Sequence, residues 1–331
     1  MSLDKAIIKF LRKKGKRKIT ADDILEILIQ ETTRNIIIYA NTGEGKSFLL
    51  ALIAYYLVQA GYKVIIFDPK KAFWYIHLPP LHDPKLALIY RDKWGKPEPP
   101  KVIYYAPLFR PHTKDIVSFP EHIIPASIRI SQIDEDSILL LGKRAVLQKK
   151  DFEKLFEAFS MVNPYEASIE ELEEILSERG KLTPSLINFF ASGLISDGPS
   201  PVEAYKLVNA PADIIVLTGG TTLSEGVMTF FFGVILSDLF RYLSNDTNEH
   251  KVAVLIDEVA VFVNQLSTTA PTWWFKRKLD RIMREGRAIG PFQQSNLRIV
   301  LNAQLPNSVP PEITSLARTG FFGPSLFAVK K

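Results

Sequence analysis

Short, mostly apolar runs along the chain are separated by longer segments with the mixed pattern of helices. The runs predict strands of a parallel sheet, because such strands are buried on both faces. They lie at residues 35–39, 62–68, 212–217, 251–256 and 298–302. Helical patterns at Phe48–Leu57 and Val227–Leu243 follow two of these runs. The order strand, helix, strand near the start of the pattern predicts a βαβ unit and an α/β fold.

The middle of the chain has a different pattern. Residues 77–120 are rich in proline and contain one further strand candidate at 101–105, whereas residues 121–210 are mostly helical in pattern. Ser168 and Glu171 form a capping box that opens a helix, Gly180 closes it, and 184–195 is a second helix candidate. We therefore predict four regions: an arm and short helix (1–33), a first core part (34–120), an α-helical insertion (121–210) and a second core part (211–331).

Composition narrows the class of protein. The 331 residues are 47% hydrophobic and 23% charged, as in ordinary folded proteins. The chain has no cysteine, which excludes disulfides and zinc–thiolate sites, and its five histidines have no metal-ligand spacing. Met1–Thr20 is too rich in Lys and Arg for a signal peptide, and Asp238 and Arg241 argue that Val227–Leu243 is a core helix. We expect a cytoplasmic protein.

Residues 40–47, Ala-Asn-Thr-Gly-Glu-Gly-Lys-Ser, form a phosphate-binding loop in which Ala40 replaces the usual first glycine. Backbone N–H groups of such a loop point inward at the positive end of the following helix and create an anion site. Lys46 would reach the β- and γ-phosphates of ATP, and the Ser47 hydroxyl would bind Mg²⁺. The predicted nucleotide-binding residues are Asn41, Thr42, Gly43, Glu44, Gly45, Lys46, Ser47 and Phe48.

A second half of the site is predicted where the strand 251–256 ends in Asp257 and Glu258. Asp257 would hold Mg²⁺, and Glu258 would polarise the attacking water as the catalytic residue of a hydrolase. Both carboxylates would project at the carboxyl end of a strand, where α/β sheets bind ligands. Gln304 could sense the γ-phosphate from a neighbouring strand end, and Asp68 could add a distal carboxylate.

These motifs and their order resemble the HerA/FtsK superfamily of ring-forming DNA translocases, which also includes type IV secretion ATPases and viral packaging motors. The matching segments are 40–47, 67–70, 255–258, 284–290 and 303–306, and 308–318 is similar to the family's ending. The resemblance covers about residues 34–75 and 210–320. It implies an α/β fold with a RecA-like P-loop NTPase core, a parallel-rich central sheet and an α-helical insertion.

The resemblance also implies a hexameric ring that binds ATP and Mg²⁺ between subunits. An arginine of the neighbouring subunit would then complete each site and stabilise charge on the γ-phosphate. Arg284, Arg287 and Arg318 are the candidates, and the sequence does not rank them.

Two basic clusters favour a nucleic-acid partner through salt-sensitive, sequence-independent phosphate contacts. Lys13, Lys14 and Arg17 represent the arm, and Lys276, Arg277 and Lys278 follow two tryptophans that could stack on bases. The alternatives are a solvated tail for the arm and a solvated or interface face for the second cluster. Double-stranded DNA is favoured over RNA by the resemblance alone.

Three functions remain open. The first is an ATP-driven translocase of double-stranded DNA in a mobile-element, viral packaging, conjugation or repair context, with a nuclease or capsid partner. The second is a secretion-type ATPase at a membrane channel; Leu3, Ile7 and Phe10 with intervening basic residues could lie on an anionic membrane surface. The third is a nucleotide-regulated assembly protein.

Overall fold

An eight-stranded sheet forms the centre of the computed structural model. The structure describes residues 35–43, 46–73, 76, 100–108, 122–141, 147–163, 166–180, 182–219, 225–244, 250–263, 270–286, 297–317 and 319–322. The strands of the sheet are β1 (Asn35–Tyr39), β2 (Lys63–Asp68), β3 (Val102–Pro107), β4 (Ile123–Ala126), β7 (Ile214–Thr218), β8 (Val252–Ile256), β9 (Leu297–Ala303) and β10 (Thr319–Phe322). A separate two-stranded sheet pairs β5 (Ile128–Arg129) with β6 (Ile195–Ser196).

The order of the main sheet is β10-β1-β9-β8-β2-β7-β3-β4, and every neighbouring pair is parallel. Its register brings the carboxyl ends of the central strands to one edge: Tyr39 pairs with Ala303, Ile256 with Leu301, and Phe67 with Ile256. Residues that directly follow β1, β8, β9 and β2 are therefore neighbours in space, although residues 40 and 304 are 264 positions apart in the sequence.

Helices cover both faces of the sheet. The described helices are α1 (Lys46–Gln59), α2 (Glu135–Ile138), α3 (Lys149–Phe159), α4 (Ile169–Glu178), α5 (Pro184–Ala191), α6 (Ala204–Asn209), α7 (Glu225–Leu243), α8 (Ala260–Val263), α9 (Ala270–Glu285) and α10 (Pro311–Thr314), with short 3₁₀ helices at Ile130–Gln132, Leu139–Leu141 and Pro306–Ser308. Alternate residues of β1 enter two cores: Ile36 and Ile38 pack with α1, whereas Ile37 and Tyr39 pack on the face that holds α7 and α9. Burial of both faces explains why the strands are uniformly apolar.

Helix α7 is the central helix of the second face. Among the described residues it is the one helix long and apolar enough to cross a membrane by length and composition, but 67% of its most apolar stretch is buried inside the fold. Phe232 stacks on Phe67 of β2, with ring centroids 4.7 Å apart. Gly233 allows the 3₁₀ helix Leu139–Leu141 to approach, since a Cβ there would lie 2.2 Å from Leu140 Cδ1. The predicted core role of this segment agrees with its position.

The mostly helical region shares the core of the second face. Asp238 of α7 accepts hydrogen bonds from Gln132 Nε2 (3.0 Å) and from the Ala204 N–H (2.9 Å), both within residues 121–210. Lys278 of α9 donates to Asp134 Oδ1 (2.8 Å), which caps α2. These buried contacts attach the region to the sheet domain along its length.

Strand β10 (Thr319–Phe322) was not predicted from the sequence, and the structure differs from the predicted boundaries in two further places. Strand β4 extends the main sheet by pairing with β3, although it lies in residues 121–210, which were assigned to the insertion. Pro125 made this segment unlike a strand in the sequence pattern. The proline is tolerated because β4 is the edge strand of the sheet. The helix predicted at 184–195 ends at Ala191, since Gly193 adopts φ +76 and β6 begins at Ile195. The helix predicted within 1–33 lies outside the described residues.

Candidate active site

The phosphate-binding loop begins directly after β1. Ala40 is fully buried, and its N–H donates to the Ala303 carbonyl of β9 (3.2 Å), which fixes the start of the loop against the neighbouring strand. Gly43 adopts φ +82, a conformation that favours glycine. Helix α1 then begins at Lys46, so that its N-terminus faces the loop as an anion site requires. Glu44, Gly45 and the side chain of Phe48 lie outside the described residues; Asn41 and Ser47 are half-buried, and Thr42 is exposed.

Lys46 and Glu258 meet across this loop. Lys46 is 7% exposed, and its Nζ lies 3.9 Å from Glu258 Oε1. Glu258 is also buried and has φ +45, an uncommon conformation for a residue with a side chain. The backbone after it is fixed, because the Val259 N–H donates to the Asn302 carbonyl (2.8 Å). Such backbone strain is typical of functional sites.

Asp257 is a buried acid of the site and is 2% exposed. Its N–H donates to the Phe67 carbonyl (3.0 Å), and its Oδ1 accepts a short hydrogen bond from Asn302 Nδ2. Burial and, after it, the neighbouring charges of Asp68 and Glu258 together raise the pKa of Asp257 to about 7. Asp257 therefore lies where negative charge is poorly compensated by the protein alone.

Gln304 and Asp68 occupy the two strand ends beside these acids. Gln304 Nε2 donates to Glu258 Oε1 (2.9 Å), so the predicted sensor contacts the predicted catalytic carboxylate. Asp68 is fully buried and accepts from the N–H groups of Ala72 (2.8 Å) and Phe73 (3.0 Å). Burial raises the pKa of Asp68 to about 6. Its carboxylate thus orders the turn that follows β2.

Sequence reasoning assigned no role to Lys70, which the structure brings to the same carboxylate. Lys70 Nζ lies 3.3 Å from Glu258 Oε1, and the lysine side chain is 51% exposed. The sequence did contain an indication of a role for Lys70, because this lysine ends the Phe67–Lys70 segment that carries part of the family resemblance. A motif alone, however, does not show which distant residue a lysine contacts.

The arrangement fits a nucleotide with a bound magnesium ion. The Ser47 hydroxyl and the Asp257 carboxylate are the hard oxygen donors that Mg²⁺ prefers. The carboxylates of Asp68 and Glu258 near Asp257 leave negative charge that a divalent cation would neutralise. Lys46 and the start of α1 are placed to receive phosphate groups.

The predicted arginines are placed as follows. Arg284, near the end of α9, is exposed and makes a two-pronged ion pair with Asp280, with Nε–Oδ2 at 2.8 Å and Nη2–Oδ1 at 3.0 Å. Arg287 and Arg318 lie outside the described residues.

The predicted basic cluster on α9 divides into residues of different kinds. Lys278 is 7% exposed and donates to Asp134 (2.8 Å) and to the Ser137 and Ser237 hydroxyls (3.0 and 2.7 Å), so it is a core residue. The assignment of Lys278 to phosphate contact is not compatible with this burial. Lys276 pairs with the exposed Glu312 (3.2 Å). The arm residues Lys13, Lys14 and Arg17 lie outside the described residues.

Arg277 is exposed and lies over the neighbouring indole rings. Its guanidinium carbon is 5.7 Å from the ring centroid of Trp273 and 5.4 Å from that of Trp274. Trp273 remains 50% exposed. In the described part of α9, Arg277 is the basic residue without a carboxylate partner. Arg277 and Trp273 thus form the accessible part of the predicted cluster.

A parallel sheet with a phosphate loop after one strand and an Asp-Glu pair after another defines the core of a P-loop nucleoside triphosphatase. The predicted α/β, RecA-like fold class is confirmed. Residues 25–185 match the family model described as helicase HerA, central domain. This match confirms the predicted resemblance to the HerA/FtsK superfamily. No curated protein matches the chain.

Three solved structures align with the chain at low sequence identity, and the first of them shows the same fold. VirB4 of Thermoanaerobacter pseudethanolicus aligns with a TM-score of 0.53 at 15% identity, over 94% of this chain and 80% of VirB4. The bacterial conjugative coupling protein TrwBdeltaN70, in complex with sulphate, aligns with a TM-score of 0.48 at 12% identity, over 97% of this chain and 76% of its own. The plasmid coupling protein TrwB with ADP and Mg²⁺ aligns with a TM-score of 0.47 at 12% identity, over 96% of this chain and 76% of TrwB.

Proposed function

We propose that the protein is an ATP-hydrolysing ring motor that moves double-stranded DNA. The observation that carries the hydrolytic part is the convergence on one carboxylate: Lys46, Lys70 and Gln304 all lie within contact distance of Glu258 Oε1 (3.9, 3.3 and 2.9 Å). A buried glutamate beside a phosphate loop is placed to act on water. A kinase or a nucleotide switch does not need a carboxylate there, whereas a hydrolase does.

Each side chain has a defined role in this proposal. The loop and Lys46 bind the ATP phosphates, and Ser47 with Asp257 would hold Mg²⁺, which neutralises charge on the phosphate oxygens. Glu258 accepts the proton of the attacking water. Gln304, already bound to Glu258, would hold that water or the γ-phosphate in line. Electrostatic positioning of this kind supplies most of the catalysis in phosphoryl transfer.

A ring would complete the site between subunits. An arginine of the neighbouring subunit would stabilise the γ-phosphate charge, with Arg284, Arg287 and Arg318 as the candidates. Arg284 would have to exchange its contact with Asp280 for the phosphate, and its exposure permits that exchange. We propose a hexamer from the family resemblance.

DNA contact is proposed for the exposed pair Trp273 and Arg277, with Lys276 beside it. Arg277 has no carboxylate partner among the described residues, so its charge is available to a phosphate. Such contacts are independent of base sequence and weaken as salt increases. The basic arm around Lys13, Lys14 and Arg17 would add further phosphate contacts that depend on salt in the same way.

Steady-state ATP hydrolysis with and without long double-stranded DNA, at low and moderate salt, tests the proposal. We expect DNA to stimulate turnover and the stimulation to fade as salt rises. Lys46→Ala is the control variant and should have no activity in either condition. Basal hydrolysis that DNA leaves unchanged would contradict the DNA motor and favour a secretion-type ATPase at a membrane channel or an assembly protein.

A further inference from the structure

Lys70 contacts Glu258 from a different strand end than the phosphate-loop lysine does. It follows β2, whereas Lys46 follows β1, and the two ammonium groups lie 3.3 and 3.9 Å from the same oxygen, Glu258 Oε1. Lys46 is buried, whereas the Lys70 side chain is 51% exposed. The Glu258 carboxylate therefore has two cationic partners.

Backbone hydrogen bonds to the Asp68 carboxylate fix the turn that carries Lys70. Both carboxylate oxygens of the buried Asp68 accept backbone hydrogen bonds, from Ala72 (2.8 Å) and Phe73 (3.0 Å). The Asp68 carbonyl in turn accepts from the Gly219 N–H (3.1 Å). Lys70 thus projects from a turn that is anchored in the sheet at both its start and its end.

Backbone strain is concentrated at this contact. In the described ranges, Lys71 (φ +60) and Glu258 (φ +45) are the two non-glycine residues with positive φ. One directly follows Lys70 in the chain, and the other is its partner. Strained conformations persist where the surroundings fix them, commonly at functional sites. The Lys70 end of this ion pair is half-exposed, which limits its contribution to stability, so a structural benefit alone does not explain why both turns adopt these conformations.

Nucleotide binding changes the two contacts differently. The proposed role of Lys46 is to bind the phosphates, which would draw its ammonium group from the already long contact with Glu258 (3.9 Å). Lys70 lies on a different strand end and does not take part in the phosphate loop. It is therefore the cation that remains beside Glu258 at the moment of hydrolysis.

We propose that Lys70 is a positioning residue that holds the Glu258 carboxylate in its productive orientation once Lys46 has moved to the phosphates. This inference rests on the proposed ATPase function. It predicts that Lys70 affects turnover through Glu258 and leaves nucleotide binding intact. Misplacing a catalytic group by about 1 Å lowers rates by roughly 100-fold, so loss of Lys70 should lower kcat by about 10- to 100-fold.

The test compares Lys70→Met with Lys70→Arg in two measurements: single-turnover hydrolysis of ATP and equilibrium binding of a fluorescent ATP analogue. We expect Lys70→Met to lose turnover with less than about a twofold change in Kd, and Lys70→Arg to recover much of the rate. Lys251→Met is the matched control, because Lys251 is an exposed lysine before β8, at the opposite edge of the sheet. It should retain the wild-type rate.

The same substitution made in a Glu258→Gln variant distinguishes a role that acts through Glu258 from a role that is independent of Glu258. In Glu258→Gln, adding Lys70→Met should not lower the residual rate further, because Lys70 acts through the carboxylate that is already absent. A normal rate for Lys70→Met, or a loss of nucleotide affinity as large as the loss of rate, would overturn the inference while leaving the ATPase proposal intact. Absence of hydrolysis by the wild-type protein would overturn both.

Discussion

Replacing Glu258 by glutamine separates nucleotide binding from hydrolysis. The substitution keeps the size of the side chain and its ability to bond Gln304, which lies 2.9 Å away, but removes the group that accepts a proton. Loss of a general base lowers rates by about 10²- to 10⁴-fold. That range corresponds to a barrier roughly 2.7 to 5.4 kcal/mol higher.

Nucleotide binding should be kept or strengthened in the same variant. Lys46 loses its anionic partner at 3.9 Å and becomes free to bind phosphates. Both side chains are buried, so loss of the carboxylate leaves the Lys46 ammonium group without this counterion, which is unfavourable until a phosphate takes its place. We therefore expect ATP to bind at least as tightly to the variant as to the wild-type protein.

The assay combines a fluorescent ATP analogue for Kd with single-turnover hydrolysis for the chemical step. Glu312→Gln is the matched control, because Glu312 is an exposed glutamate that pairs with Lys276 away from the site, and it should leave both values unchanged. Hydrolysis by Glu258→Gln at the wild-type rate would refute the catalytic role. Loss of nucleotide binding would show that Glu258 is required for the structure of the loop instead.

Three further predictions concern stability and pH. Asp134→Asn should lower the free energy of unfolding by about 3 kcal/mol, because it leaves the buried Lys278 ammonium group without its counterion. Lys278→Met should lower the free energy of unfolding by only about 1 kcal/mol. Equal losses for the two variants in urea denaturation would contradict this prediction. Burial and the neighbouring charges of Asp68 and Glu258 raise the pKa of Asp257 from 3.8 to about 7. The stability that the protonated form contributes is therefore complete below pH 4 and is lost as the pH rises through 7. Mg²⁺, in contrast, requires the deprotonated form. The increase in Tm on adding Mg²⁺ should therefore be larger at pH 8 than at pH 6, and an equal increase at both would contradict the assignment. Gly233→Ala should destabilise the protein by about 1–3 kcal/mol through collision with Leu140, and adding Leu140→Ala should give a total loss smaller than the sum of the two, as measured by urea denaturation; strict additivity would contradict the contact.

The sequence predicted the sheet well because its strands are buried on both faces. The run Asn35–Tyr39 has apolar residues on both sides of the strand, and the structure places those sides in two different cores. The same argument located β2, β7, β8 and β9 to within about two residues. Strand β4 was missed because it is short, contains Pro125 and lies before a helical region.

The sequence pattern could not predict which residues that are distant along the chain come into contact. Lys278 stands in a basic run that indicated a nucleic-acid surface, yet its partner Asp134 is 144 positions away. Lys70 likewise meets Glu258 only because β2 and β8 are neighbours in the sheet. By contrast, Asp257 and Glu258 were predictable, because residues at the carboxyl end of a parallel strand share an edge with the phosphate loop.

Displacement of a third strand from a DNA triplex tests most directly whether hydrolysis at this site drives movement along duplex DNA. The account predicts that the wild-type protein releases the third strand with ATP and Mg²⁺, and that Glu258→Gln binds the same DNA without releasing it. Hydrolysis of ATP by the wild-type protein on this DNA with no release of the third strand would contradict a DNA-translocating motor.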